Sequence, residues 1–231
     1  MRFKFIILLF IISDLISAQI NYNNTSWFIK GNATSLIDIF TFPTVEFSAE
    51  KQVTDLFSIC PEAGYQLYNF RHTDTTFMNP AGFKVNLEFR YYVSKYISSR
   101  ASNRMGRLYA GLRPFYMQNK YNSTVSYKAN PDSTTWLDDD FGVKNSTFGV
   151  NFTFGFQKSL TERLIIDMHT GIGIMKRRVT NTNIQYNKDA GHYLAGSEFM
   201  KLFKKINLSQ SSGIWGNILI GVRIGYTIYK K

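Results

Sequence analysis

Charged side chains spaced two residues apart are the main chemical resource of this chain. Between Gly82 and Val93 they are Lys84, Glu88 and Arg90. In an extended strand these fall on one face with Asn86, because successive side chains point to opposite sides. The same spacing sets Asp167 beside His169, an acid and an imidazole able to pair within a strand. Asp138-Asp139-Asp140 could attract calcium but lacks the alternating oxygen ligands and the glycine of an EF-hand loop, so it reads as a solvated acidic loop. Asp189, His192 and Ser197 are the residue types of a hydrolytic triad. No spacing demands that they converge, since triads are recognised by geometry. His72 falls in a long polar link. The single cysteine, Cys60, excludes an internal disulfide and a Cys-based zinc site. No metal or cofactor is implied.

These charges need strands to position them, and the chain supplies strands in number. Phe83, Val85, Leu87, Phe89, Tyr91 and Val93 form the face opposite Lys84, Glu88 and Arg90. A soluble sandwich buries such an apolar face, whereas a membrane barrel turns it to lipid and fills its lumen with the polar one. The alternation recurs in Trp27 to Ile39, Val45 to Glu50, Phe57 to Leu67, Leu108 to Arg113, Phe148 to Gln157, Leu164 to Ile174 and Ile218 to Ile228. Pro61 and Pro114 lie inside two of these runs and predict bulges, since proline cannot donate to a ladder. Several runs approach the ~9–11 residues that cross a bilayer at a tilt.

The links sort by end. Lys51 to Leu56 and Ser159 to Arg163 are short, whereas Asn69 to Ala81, Lys120 to Lys144 and Lys176 to Gly213 are long. Short turns at one rim and long loops at the other are the asymmetry of an outer-membrane barrel. The turn Phe42 to Thr44 and the link Ser94 to Asn103 depart from that sorting.

Composition agrees. Aromatic residues make up 16% of the chain, with 20 Phe and 14 Tyr, which suits strands and interfacial belts. The formal charge of +11 points to anionic partners: nucleic acid, lipid headgroups or lipopolysaccharide. Arg2 and Lys4, the apolar run Phe5 to Ile12 and the stretch Ile16-Ser17-Ala18 read as a cleaved secretory signal. The run is far shorter than the ~20 residues of a spanning helix. Export argues against nucleic acid as the partner. Phe199 to Lys205 mixes Phe and Leu with Lys201, Lys204 and Lys205, a segment able to rest on anionic headgroups or to extend a strand beyond the membrane.

Several short segments resemble, in order and spacing, a Bacteroidetes family of small outer-membrane β-barrels known only as a domain of unknown function. They include Asn32-Ala33-Thr34-Ser35-Leu36, Val45-Glu46-Phe47, Glu62-Ala63-Gly64-Tyr65, Glu88-Phe89-Arg90-Tyr91 and Tyr109-Ala110-Gly111. Phe154-Gly155-Phe156-Gln157 and Gly221-Val222-Arg223-Ile224-Gly225-Tyr226 continue the series. The resemblance implies an outer-membrane location and a small barrel, and transfers no catalytic residue. The chain ends Tyr229-Lys230-Lys231, where such barrels often finish on the aromatic itself.

The expected architecture is all-β: a single eight-stranded antiparallel transmembrane β-barrel with three long outer loops. Residues 1–18 are expected to be a cleaved signal peptide and residues 19–231 the barrel. An eight-stranded interior is only wide enough to be filled by side chains. Glu46, Glu62, Lys84, Glu88, Arg90, Arg113, Asp167 and Arg223, with Glu50, are therefore expected to form a salt-bridged plug. The expected function is non-enzymatic: a monomeric outer-membrane protein contacting lipid, lipopolysaccharide or an external ligand, and inserted by the barrel-assembly machinery. The alternatives are a lipid A-modifying barrel enzyme of esterase or acyltransferase type, and a soluble periplasmic barrel carrying an apolar ligand.

Overall fold

Nine strands are present among the described residues of the computed structural model. They are β1 (Trp27–Asn32), β2 (Val45–Gln52), β3 (Phe57–Tyr65), β4 (Met78–Tyr92), β5 (Arg107–Lys128), β6 (Leu137–Ser159), β7 (Leu164–Thr182), β8 (Tyr193–Leu194) and β9 (Ser212–Tyr229). The described residues are 27–38, 41–66, 78–93, 106–130, 132–161, 163–194 and 212–229. The signal segment, His72, Ser197, the Ser94 to Asn103 link and Lys201, Lys204 and Lys205 lie outside them.

The sheet runs β4-β3-β2-β1-β9-β7-β6-β5, and a further β4–β5 pairing closes it into an antiparallel ring of eight strands. Closure gives every strand of the ring a neighbour on both sides, although among the described residues β9 from Ser212 to Gly221 has no strand partner on its β1 side, because β1 ends at Asn32 opposite Arg223. Only the two-residue β8 stands outside it, paired to Tyr127 and Lys128 of β5. Trp27 and Tyr229 meet in register at one rim, here called the lower end. The tight turns 53–56 and 160–163 share that end, held by the Val53 amide on the Phe57 carbonyl and the Leu160 amide on the Leu164 carbonyl, each at 2.8 Å.

Three local expectations are corrected. The first strand stops at Asn32 and not at Ile39, and a 3-10 turn, Thr34–Ile37, follows it. The Asn32 side chain accepts from the Thr34 hydroxyl at 2.8 Å, and the Ser35 hydroxyl donates to the Asn32 carbonyl at 2.8 Å. Such local bonds compete with ladder bonds and turn the chain. Pro61 and Pro114 produce no bulge: the β3–β4 and β5–β6 registers run through them without a shift. Bridges are instead missing on the other flank, opposite Ala49 and Glu50 of β2 and opposite Leu87 and Glu88 of β4. A missing N–H removes a bond without requiring an extra residue.

The third correction concerns the stretch from Lys120 to Lys144, which is mostly strand. β5 and β6 stay in continuous register up to Tyr127 and Leu137, so only residues 129–136 connect them. The reason lies in the inward positions, where Tyr121, Val125, Phe141 and Val143 replace the charges found lower down. Together with Val179 they form a small apolar core at the upper end, against which Ile184, Tyr186 and Leu194 pack. β7 likewise continues to Thr182, well into the stretch that begins at Lys176.

Outside the ring the alternation points outward with its apolar side. Ile214 is 77% exposed and Ile218 73%, and Phe148, Phe152, Phe154, Ile172, Ile174, Leu112 and Val85 are exposed in the same band. The band runs from Leu108 to Tyr116 on β5 and from Leu164 to Ile174 on β7. Exposed Trp27, Tyr91 and Tyr226 edge it below, and Tyr65 and Tyr116 edge it above.

Candidate functional site

The interior of the ring is ionic. Lys30, Glu50, Arg90, Asp167 and Arg223 are all fully buried. Each reaches the lumen because it occupies an inward position of its strand, with an outward apolar neighbour on either side in most cases.

Its lower layer centres on Asp167 of β7. One carboxylate oxygen accepts from Lys30 at 2.7 Å and from Arg90 at 2.8 Å, while the Tyr109 hydroxyl donates to the other at 2.8 Å. Lys30 also bonds Glu50, as does the Tyr92 hydroxyl. Arg90 reaches Glu50 at 3.1 Å, and the Ser58 hydroxyl donates to Glu50 at 2.5 Å. Arg90 further stacks over the Tyr109 ring at 4.3 Å from its centroid. Cys60 is buried nearby as a free thiol.

In the middle layer Arg90 pairs with Glu88 at 2.6 Å, and Arg223 bridges Glu62 at 2.6 Å and Glu88 at 3.2 Å. Arg113 donates to Glu62 at 2.7 Å and to Asn86 at 2.7 Å. The His169 ring sits between the two guanidinium groups, 3.2 Å from Arg113 and 3.3 Å from Arg223. Thr153 completes the layer by donating to Glu88 at 2.8 Å. The upper layer is lighter: Lys84 contacts Asp38 at 2.8 Å and Glu46 at 3.6 Å, and Asn32 and Thr44 donate to Glu46.

Glycine makes the room. Gly221 lies opposite His169, and a Cβ there would stand 2.2 Å from the ring. Gly155 lies opposite Tyr109, where a Cβ would again stand 2.2 Å from the ring. Large polar side chains and bare backbone thus alternate across neighbouring strands, which lets the network cross the whole lumen.

Chemically this arrangement can hold the strands in register and close the barrel, because its charges satisfy one another. A buried charge left without a partner would cost about 3–5 kcal/mol. Among the described residues no group of His, Cys, Asp or Glu has the geometry to hold a metal ion.

The lumen set read from sequence comprised Glu46, Glu62, Lys84, Glu88, Arg90, Arg113, Asp167 and Arg223, with Glu50. In the structure all of these line the interior and contact one another as described. Lys30, Tyr92, Tyr109, Thr153 and Gln157 belong to the same interior and were not named in that set, and His169, read as able to pair with Asp167, contacts Arg113 and Arg223 instead. Their inward positions follow from the same alternation, so the signal was available.

The loop chemistry falls differently. Asp138, Asp139 and Asp140 lie on β6 and do not form a solvated loop. Asp139 is buried, and its carboxylate accepts the Gln185 and Tyr186 amides at 2.7 and 2.8 Å, tying the 183–194 segment to the β5–β6 hairpin. Asp138 and Asp140 accept from Ser126 and Thr124. His192 stacks on Tyr127 at 4.7 Å between ring centroids, and its Nδ1 accepts the Asn187 amide at 3.2 Å. Burial in this upper core pushes the Tyr121 phenol up to about 12.

No family model matches the chain, and no curated protein matches it. Among solved structures, a major outer membrane protein from Thermus thermophilus is similar over 90% of this chain and 100% of that one, at 9% identity and a TM-score of 0.46. The N-terminal β-barrel domain of Pseudomonas aeruginosa OprF is similar over 89% of this chain and 98% of that one, at 10% identity and a TM-score of 0.31.

Proposed function

We propose that this chain is an integral outer-membrane barrel without enzymatic activity, its lumen plugged by the ionic network and its upper end facing the cell exterior. One observation carries the reading: polarity is reversed relative to a water-soluble protein. Arg90 and Arg223 are fully buried at the centre, while Ile214 and Ile218 stand about three-quarters exposed on the outside. Apolar side chains in such a continuous exterior band need a partner other than water, and hydrocarbon is the partner whose thickness fits. The stretches from Leu108 to Tyr116 and from Leu164 to Ile174 match the ~9–11 residues of a tilted spanning strand. No helix among the described residues is long and apolar enough to cross a membrane. In lipid only a closed sheet offers the same backbone satisfaction as a helix.

The rims support the same reading. At the lower end Lys51 lies 5.3 Å from the Trp27 ring centroid, and Arg163 donates to the Tyr226 hydroxyl at 2.8 Å. Aromatic rings paired with long basic side chains suit the headgroup level, where one end of each is apolar and the other wet. Both chain ends of the ring and both tight turns share this rim, which suits a periplasmic face. The barrel works as a monomer in contact with outer-membrane lipid and lipopolysaccharide, and the assembly machinery inserts it. Recognition of an external ligand belongs to the upper end, where the β5–β6 hairpin and the 183–194 segment build a folded platform.

Cell fractionation with surface proteolysis tests this. The protein is expected in the outer-membrane fraction, resistant to carbonate extraction. Trypsin added to intact cells should cut between residues 183 and 211 and spare Lys51 and Arg163 at the two tight turns. Recovery as a soluble periplasmic protein, or cleavage confined to the tight turns, would overturn it.

A further inference from the structure

Just above the apolar band, one side of the exterior carries a cluster of cations with no acidic partner among the described residues. Lys120 on β5 and Lys144 on β6 are exposed, outward-facing and directly opposite each other in register. On β7, Lys176 and Arg178 are also exposed and outward-facing, opposite Phe148 and Ser146. Arg178 is thus diagonal to Lys144, within the roughly 7–8 Å of such neighbours. The outward carboxylates of β6, Asp138 and Asp140, lie farther up and accept from Ser126 and Thr124.

Two like charges directly opposite in a sheet destabilise it. The Lys120–Lys144 pair is therefore unfavourable unless an anion sits between its members. The height of the cluster says where that anion resides. Tyr116, Phe148 and Ile174 end the apolar band on β5, β6 and β7, and the four cations follow within the next two outward positions. That level corresponds to the boundary between acyl chains and headgroups on the outer side.

We infer that Lys120, Lys144, Lys176 and Arg178 form a binding surface for phosphate groups on a lipid of the outer leaflet, with the acyl chains lying against Phe148, Ile174 and Tyr116. The charge is complementary, and the apolar and basic surfaces are continuous, as an amphiphilic phosphorylated glycolipid requires. Arg178 can present a planar fork to phosphate oxygens, while the lysines act as point charges. The patch is one-sided, since the outward positions at the same rim of β2, β3 and β4 are Val45, Tyr65 and Ala81. The inference rests on the membrane-barrel reading and deepens it by naming the bound lipid's chemistry and the strands that hold it.

The test uses the full barrel refolded into phosphatidylcholine vesicles doped with diphosphoryl lipid A or its dephosphorylated form. Insertion is checked by the heat-dependent gel shift of a folded barrel, and retained lipid is counted by native mass spectrometry after gentle extraction. The wild-type barrel should retain the diphosphoryl form selectively. Each basic side chain near a charged membrane surface contributes about a fivefold factor, so the pair Lys120→Gln and Lys144→Gln should weaken retention roughly twenty-five-fold. The pair Lys176→Gln and Arg178→Gln should do the same, and Lys158→Gln at the lower end should change nothing. Equal retention of both lipids by an inserted barrel, or undiminished retention in both double variants, would overturn the surface and leave the barrel reading standing. Displacement of the lipid by equimolar tripolyphosphate would assign the cluster to a soluble polyanion and overturn it as well. Failure of the wild-type chain to insert would remove both.

Discussion

Asp167 and Arg223 face each other in register across β7 and β9, yet each makes its shortest contacts elsewhere. They are 3.6 Å apart, whereas Arg223 reaches Glu62 at 2.6 Å and Asp167 is held by Lys30 at 2.7 Å and Arg90 at 2.8 Å. The network is therefore organised across the lumen more than around the wall.

That geometry predicts where coupling lies. Arg223→Ala should lower unfolding stability by about 3–5 kcal/mol, because it leaves Glu62 and Glu88 short of a counter-charge. In double-mutant cycles by urea titration in vesicles, Arg223 should couple more strongly to Glu62 than to Asp167. A larger coupling to Asp167 would contradict the cross-lumen arrangement.

The exterior band makes a second prediction. Phe152→Arg should cost about 2–4 kcal/mol if that position lies near the bilayer midplane. Thr134→Arg, exposed in the 129–136 connection above the band, should stay within roughly 0.5 kcal/mol of wild type. Equal tolerance at both positions, read from refolding yield and unfolding midpoints, would count against burial of the band in lipid.

Glycine spacing makes a third. Gly221→Ala pushes a methyl into the His169 ring, and overpacking of a filled interior costs about 1–3 kcal/mol. Gly191→Ala meets no neighbouring atom, although its φ of +82° carries a backbone penalty of its own. The discriminating measurement is His169→Ala in the Gly221→Ala background, which should recover stability relative to the sum of the two single changes.

Legibility in the sequence followed the range of the physics. Period-two alternation is local, so Phe148 to Gln157 and Gly82 to Val93 show both faces without any knowledge of partners. The eight-stranded ring followed from counting such runs and from the sorting of short and long links. Strand length was harder. Asn32 ends β1 through side-chain bonds to Thr34 and Ser35, a choice between two local patterns that alternation alone does not resolve. β5 and β6 run past the apolar band because Tyr121, Val125, Phe141 and Val143 find a second core that only the folded hairpin creates. Partner identity was out of reach, since it depends on the stagger of strands: Lys30 meets Asp167 across a separation of 137 residues. Tyr92 and Tyr109 are aromatic, which by composition suits an interfacial belt, yet their hydroxyls are spent on lumen carboxylates.

The claim that the lumen is plugged is tested most directly by electrical recording. With the wild-type barrel inserted in a planar bilayer, current at moderate applied voltage should stay at the baseline of the empty membrane, because Arg90, Arg223, Glu88, Asp167 and Lys30 fill the cross-section and pair with one another. A steady, ion-selective conductance from the unmutated protein would contradict the plug and make the interior a pore.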